Sequence, residues 1–251
     1  MCQITMVGGY GVPLFAIYKV VSEYGWPNWF QLAFVVPMGM FLIGIPMSVC
    51  LHRYFSHFAF KTSRSFQFVL GVLACLAYQR GPVWWASKHR RHHKFCDEPK
   101  DPHSWTQTNF AYAWLGWTFF ESHTDDEFVT KLMTFPELQV LEWLWMLPMM
   151  GVHLAVYKTL GPQWMICLAT IPMLISNLVT LLFNVEFHPR HKPDVVCKSV
   201  DNPRFLSELV GESYHDDHHS FPTKAHRPGL DLPFWLFIRP LVATGLVWRL
   251  R

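Results

Sequence analysis

Residues 30–57 read FQLAFVVPMGMFLIGIPMSVCLHRYFSH. From Phe30 to Leu51 there is no charged side chain, and at about 1.5 Å per residue such a run forms a helix of about 33 Å, enough to cross the hydrocarbon of a bilayer. The run passes without a break into His52 and His57. A membrane span therefore ends in two imidazoles.

The same signal recurs along the chain. Trp164 to Phe183 is equally uncharged, and Leu138 to Leu160 is apolar except for Glu142 and Lys158. Ile4 to Val21 is a weaker span: Gly8, Gly9, Gly11 and Pro13 lower its helix propensity, and Lys19 has to snorkel to the interface. Ser65 to Tyr78 is apolar but too short to cross, which makes it an interfacial or buried helix. Spans at 4–21, 30–51, 138–160 and 164–183 leave two long segments, 52–137 and 184–251, on one side. Of the 21 Lys and Arg residues, all but Lys19 and Lys158 lie in those two segments, and none lies in the short connections Ser22–Trp29 and Thr159–Gln163. The positive-inside rule then puts both long segments in the cytoplasm, with Trp26 and Trp29 at the opposite interface. The expected fold is all-α: one domain over 1–251, four transmembrane helices and a helical cytosolic cap.

Composition agrees. Only 16% of the 251 residues are charged, against about 25% in a soluble domain, and 21 Phe, 12 Trp and 8 Tyr demand burial. Disorder, collagen-like repeats and disulfide scaffolds are excluded on these grounds. A net charge of +3, with no basic cluster interleaved with aromatics, excludes nucleic acid as a partner. The six cysteines (Cys2, Cys50, Cys75, Cys96, Cys167, Cys197) are scattered without a C-x-x-C pair and read as unpaired thiols. The N-terminus shows no basic n-region or cleavage site, so no signal peptide is expected.

Fourteen histidines are out of proportion, and they cluster: His52-Arg-Tyr-Phe-Ser-His57, His89-Arg-Arg-His92-His93 and His215-Asp-Asp-His218-His219. At this frequency H-x-x-H-H should arise by chance about 0.04 times, yet it occurs twice. Spacings of three and four put the imidazoles of each such cluster on one helix face. Neutral imidazole ligates Zn, Cu, Fe and Ni, and eight imidazoles exceed the three or four that one zinc takes, which implies two metals. Asn184 and His188, four apart at the end of the last span, add a ninth imidazole and an amide able to hold a metal-bound water. On the residues alone, a histidine-rich membrane metal carrier stays open, although transporters usually place ionisable groups inside spans at the midplane.

With these residues the chain resembles the integral-membrane fatty acyl desaturases, including the acyl-CoA delta-9 type. The resemblance rests on the order and spacing of H-x-x-x-x-H, H-x-x-H-H, N-x-x-x-H and G-E-x-x-H-x-x-H-H-x-F-P (Gly211 to Pro222), together with Gly81-Pro-Val-Trp-Trp-Ala86 and Asp101-Pro-His-Ser104. It implies a four-span enzyme using O2 to insert a double bond into an acyl chain. It also implies a di-iron centre held by His52, His57, His89, His92, His93, His188, His215, His218 and His219, with Asn184 linked through water. Electrons would come from a separate carrier, cytochrome b5 or ferredoxin, since the chain carries neither a His-Pro-Gly-Gly haem motif nor a Cys-rich iron–sulfur run. The membrane would be the endoplasmic reticulum in a eukaryote, otherwise a bacterial inner or plastid membrane.

The chain departs from the family where Asp216 and Asp217 replace the usual Asn after the first His of the last box, bringing acidity beside the metals. It departs again at Ser87-Lys88, where the animal acyl-CoA branch has Arg-Asp, so the head group (CoA, lipid or carrier) is open. A fatty acyl hydroxylase on the same boxes is the rival activity. Glu212 is expected to support a ligand. Trp84 and Trp85 are expected at the acyl entrance, and Arg90 and Arg91 on a solvated face or against an anionic partner. His103, His123, His153, His191 and His226 have no matching partners and are left as surface or core residues. At α-helical spacing Ser48, Gly44 and Met40 lie below His52 on its face. Gly44 would there give room to an acyl tail, or simply let two helices approach.

Overall fold

A computed structural model describes residues 2–192 and 195–251, with side chains from residue 9 onward, and nearly all regular structure in it is helical. Helix α1 spans Cys2–Tyr24; residues 4–8 of the expected first span lie outside the described side chains. Helix α2, Trp29–Ser56, and the later α7, Pro162–Glu186, are long and apolar enough to cross a membrane. They extend the expected spans 30–51 and 164–183 at both ends.

The expected span 138–160 is broken. Helix α5, Pro136–Leu144, and α6, Leu147–Leu160, meet at a bend of 58°. The break falls where Pro148 has no N–H to offer the carbonyl of Leu144. Among the described residues the count is thus two apolar spans, or three if the bent pair is one. Large apolar side chains on these helices face outward, among them Phe15, Phe30, Val36, Trp143 and Leu154, as lipid-facing surfaces require.

Between α2 and α5 lie α3, Arg64–Cys75, started by Ser63 Oγ accepting from Phe66 N–H at 3.2 Å, and α4, Pro82–Lys94. Glu142 of α5 fixes the start of α4: its carboxylate accepts from the Val83 N–H at 2.6 Å. A Cβ on Gly81 would collide with that carboxylate, so only glycine lets α5 dock here. After α7 come α8, Phe205–Leu209, α9, His215–Ser220, and α10, Phe234–Ala243. The chain ends in a two-residue strand β2, Val247–Trp248, antiparallel to β1, Lys61–Thr62.

Two features position the site. The last 14 residues of α2, Ile43–Ser56, are wound as a π-helix, whose hydrogen bonds close over five residues. At 3.6 residues per turn His52 and His57 would diverge by about 140°; the wider winding brings residues five apart towards one face. Next to His52, the fully buried Arg53 guanidinium donates to both oxygens of Asp231 (2.8 and 3.0 Å), to Ala225 O at 2.9 Å and to Gly211 O at 3.1 Å. This pair clamps the segment 211–234 onto α2. Gly211 has φ +70°, and a side chain there would meet the same guanidinium.

The reading of all cysteines as free thiols is corrected: Cys96 and Cys197, 101 residues apart, are disulfide-bonded with Cα atoms 5.0 Å apart. No local spacing signals such a bridge, which exists because the end of α4 packs on the chain that follows α7. Cys50, Cys75 and Cys167 are buried free thiols.

Candidate metal centre

The histidine boxes arrive from four places: the π-wound end of α2, the face of α4, the end of α7 and the short helix α9. They sort into two groups that cut across the boxes. His52, His57, His89, His93 and His218 form one group and His92, His188, His215 and His219 the other, with all donor atoms of each group within 4.8 Å of one another. The spacing of three and four splits each H-x-x-H-H box between the groups, so α4 and α9 each feed both.

Inside the groups the ring nitrogens meet Nε2 to Nε2: His52–His218, His57–His89 and His93–His218 at 2.8 Å, His188–His215 at 3.0 Å, and His215–His219 at 3.1 Å. Two donors about 2.1 Å from one ion at right angles stand about 3.0 Å apart. The outer nitrogens explain which atoms face inward. His52 Nδ1 donates to Glu212 at 3.1 Å, His92 Nδ1 to Asp101 at 2.9 Å and His188 Nδ1 to Asp97 at 2.9 Å. A neutral imidazole has one N–H, so these three rings turn lone pairs into the clusters, an arrangement suited to a cation and repulsive without one. Ligating histidines are commonly held by such carboxylates.

Electrostatics agree. Burial first, then neighbouring imidazoles, hold His89, His93, His215 and His219 well below the usual histidine range; for His218 the Arg227 guanidinium adds to burial. These rings are neutral near pH 7, the form that ligates. Burial opposes the charge of Glu212, but the His52 ring, Arg53 and Ser48 outweigh it and bring its carboxyl down to about 2. Ser48 Oγ donates to Glu212 at 2.5 Å. Glu212 thus orients His52 as expected of a supporting residue. The donor set, nine imidazoles in groups of five and four, fits transition-metal ions.

A cavity opens against both groups, lined by Met47, Trp85, Phe183, Asn184, Glu212 and His215 among others. Asn184 is half-buried on its wall, donating to Ala113 O at 3.4 Å. Trp85 lines the cavity and stacks on His89, with ring centres 4.9 Å apart. Trp84 lines an adjoining smaller cavity, stacked on Trp117. Met40 lines a third, apolar cavity of about 430 Å³ between α2 and α7, which shares Phe183 with the first. Gly44 lines none of the three. Its missing Cβ would sit 3.3 Å from Pro233 and 4.0 Å from Val210.

Other expectations change as well. Asp216 and Asp217 point away from the clusters: Asp216 accepts from Ser199 Oγ at 2.6 Å and faces Lys192 at 3.8 Å, and Asp217 pairs with Lys224 at 2.8 Å. Arg90 is no free cation; its guanidinium caps the end of α2 by donating to the carbonyls of Phe55 and Ser56, and also to that of Phe128. Arg91 pairs with Glu121 at 3.1 Å. Lys88 is buried on Glu121 and Asp125 at 2.6 and 2.8 Å.

Sequence reasoning missed Asp97, Asp101, His103, Gln79 and Arg227. Asp101 and His103 were in plain view in Asp101-Pro-His-Ser104; His103 is buried, its ring 4.5 Å from that of His92. Gln79 joins Trp85 Nε1 to Thr180, and the Arg227 guanidinium lies 2.6 Å from His218 Nδ1. Neither carries a spacing signal.

Fold and site together define a class: a helical, membrane-associated protein whose buried histidine groups can hold metal ions. A sequence model of fatty acid desaturases matches residues 25–237, and the chain belongs to the fatty acid desaturase family. It is 29% identical over 228 residues to a probable chloroplastic lipid desaturase of Arabidopsis thaliana, covering 86% of this chain and 63% of that protein. A hex-5-enoyl-[acyl-carrier protein] acetylenase of Moorena producens (strain JHB) is 26% identical over 281 aligned positions, covering 94% of this chain and 85% of that one. An acyl-CoA Delta(11) desaturase of Trichoplusia ni is 30% identical over 228 residues, 83% of this chain and 64% of the relative. The chain thus spans less than two thirds of the plant and insect relatives.

Proposed function

We propose that this protein is an O2-dependent fatty acyl desaturase with two irons, one in each histidine group, and Asn184 linked to the centre through water. The observation that carries the reading is the convergence of nine imidazoles, five and four, beside a cavity walled in part by Met47, Trp85 and Phe183. Bound there, iron supplies the redox chemistry with O2 that no acid, base or nucleophile can perform on an unactivated methylene. The residues do the rest. Glu212, Asp101 and Asp97 keep the N–H of His52, His92 and His188 on the outer nitrogen and so hold the inner lone pairs in place. Met47, Trp85 and Phe183 give the acyl carbons an apolar wall beside the ligands and keep water away. Gln79 fixes Trp85 against that path.

In this reading α1 and the bent pair α5–α6 complete four spans, and the segments 52–137 and 184–251 form a cap on the cytoplasmic side. The membrane is the endoplasmic reticulum in a eukaryote, otherwise a bacterial inner or plastid membrane. Membrane lipid surrounds the spans, and a separate carrier of the cytochrome b5 or ferredoxin type brings electrons. The names of the relatives include lipid, acyl-carrier-protein and CoA desaturases or acetylenases, and the reading commits to the acyl chain alone. The rival reading, a fatty acyl hydroxylase on the same boxes, is separated from this one by the product.

Expression with a reductant system, followed by gas chromatography and mass spectrometry of acyl chains, should give products lacking two hydrogens. A hydroxylated main product, or zinc in an active preparation in place of about two irons per chain, would overturn the proposal.

A further inference from the structure

The Cys96–Cys197 disulfide lies directly behind the four-histidine group. Cys96 Sγ is 3.8 Å from His188 Nδ1, and Cys197 Sγ is 3.5 Å from His219 Nδ1. His188 has Asp97 as a second partner, whereas the outer nitrogen of His219 meets Cys197. The bridge joins the turn that follows the second histidine box to the chain that follows α7. That chain is otherwise pinned behind the group by three hydrogen bonds: Lys198 N–H to Asp97 at 2.8 Å, Val200 N–H to Phe187 O at 2.9 Å, and Ser199 Oγ to Asp216 at 2.6 Å. Cys96 is buried, and Cys197 is half-buried beside the exposed Val196. Cys197 is therefore the more accessible half of the bridge. In reducing compartments, disulfides outside secreted proteins are mostly transient and redox-sensing.

We propose that Cys96–Cys197 is a thiol–disulfide switch on the four-histidine group, closed as the cystine and opened by a dithiol reductant. A thiolate of the reductant attacks Cys197 Sγ, the S–S bond breaks, and Cys96 leaves as a thiolate that takes a proton from water. The second thiol of the reductant then resolves the mixed disulfide, releasing Cys197 as a thiol and the reductant as its own disulfide. Two electrons and two protons pass to the protein. Once freed, Cys197 can rotate away from His219, whose ring loses its outer contact, while His52, His92 and His188 keep their carboxylates. The switch rests on the proposed role of these histidines as metal ligands.

The test uses the full-length protein in detergent micelles, loaded with Co2+ and challenged with a chelator. Losing an outer partner of a ligand weakens metal binding by about tenfold or more, so treatment with dithiothreitol should speed cobalt loss about tenfold and expose two more alkylatable thiols. The Cys96→Ser/Cys197→Ser protein should lose cobalt at the rate of the reduced wild type and ignore the reductant, while Cys50→Ala should behave as wild type. Equal cobalt loss before and after reduction, or six alkylatable thiols in protein kept under oxidant, overturns the switch. Failure to bind cobalt in either state overturns the switch and the metal reading together. The desaturase reading falls separately, if metal-loaded protein yields no desaturated chain.

Discussion

The two histidine groups are built differently although they share α4 and α9. The group of five stands mostly on long helices: His52 and His57 come from the π-wound end of α2, His89 and His93 from α4, with only His218 on α9, and its outer contacts are one carboxylate, Glu212, and one guanidinium, Arg227. Apart from His92 on α4, the group of four stands on chain ends. His188 follows α7 and His215 and His219 lie on a six-residue helix, so orientation falls to two carboxylates, Asp97 and Asp101, and to the cystine. Asp97 itself has φ 59°, a conformation Asp tolerates better than most residues. Helix packing supplies rigidity in the first group, and a loop with a fixed charge network supplies it in the second.

The change expected to do most harm removes what both groups share. Asp231→Ala leaves the Arg53 guanidinium buried without a counter-charge, a loss of about 3–5 kcal/mol. The melting temperature should fall and both metals should be lost together. A variant that keeps either iron would show that the clamp serves only one group. Next come the outer carboxylates, which should separate the groups. Asp97→Asn should weaken the group of four and Glu212→Gln the group of five, each by about 10–100-fold in metal affinity, with iron content falling from about two to about one per chain. If both variants lose both irons, the two groups act as one unit.

Smaller effects sharpen the contrast between helix packing and ligand chemistry. Gly44→Phe overpacks α2 against Pro233 and Val210 and should cost about 1–3 kcal/mol, lowering activity alike for every acyl chain length. A selective loss of long chains would instead return Gly44 to the acyl path. Gly81→Ala should displace Glu142 from the start of α4 at a similar cost, read as a lower melting temperature with iron retained once folded. Asp216→Asn should change stability by less than about 0.5 kcal/mol, with iron content and product unchanged.

The sequence by itself determined where apolar runs end in histidines, because lipid and metal impose composition and spacing that survive in one dimension. The helices α2 and α7 and the three boxes were legible that way. The sequence also carried the short helix α3, as an apolar run too brief to cross. What only the tertiary structure decided is how the imidazoles are shared out. The same H-x-x-H-H box serves two groups, the winding of Ile43–Ser56 brings His52 and His57 towards one face, and Asp97, Arg227 and the Cys96–Cys197 bridge reach their partners across about 10 to 100 residues of chain. Such contacts have no period and no fixed spacing. They are set by which buried charges and donors must find partners once the helices have packed.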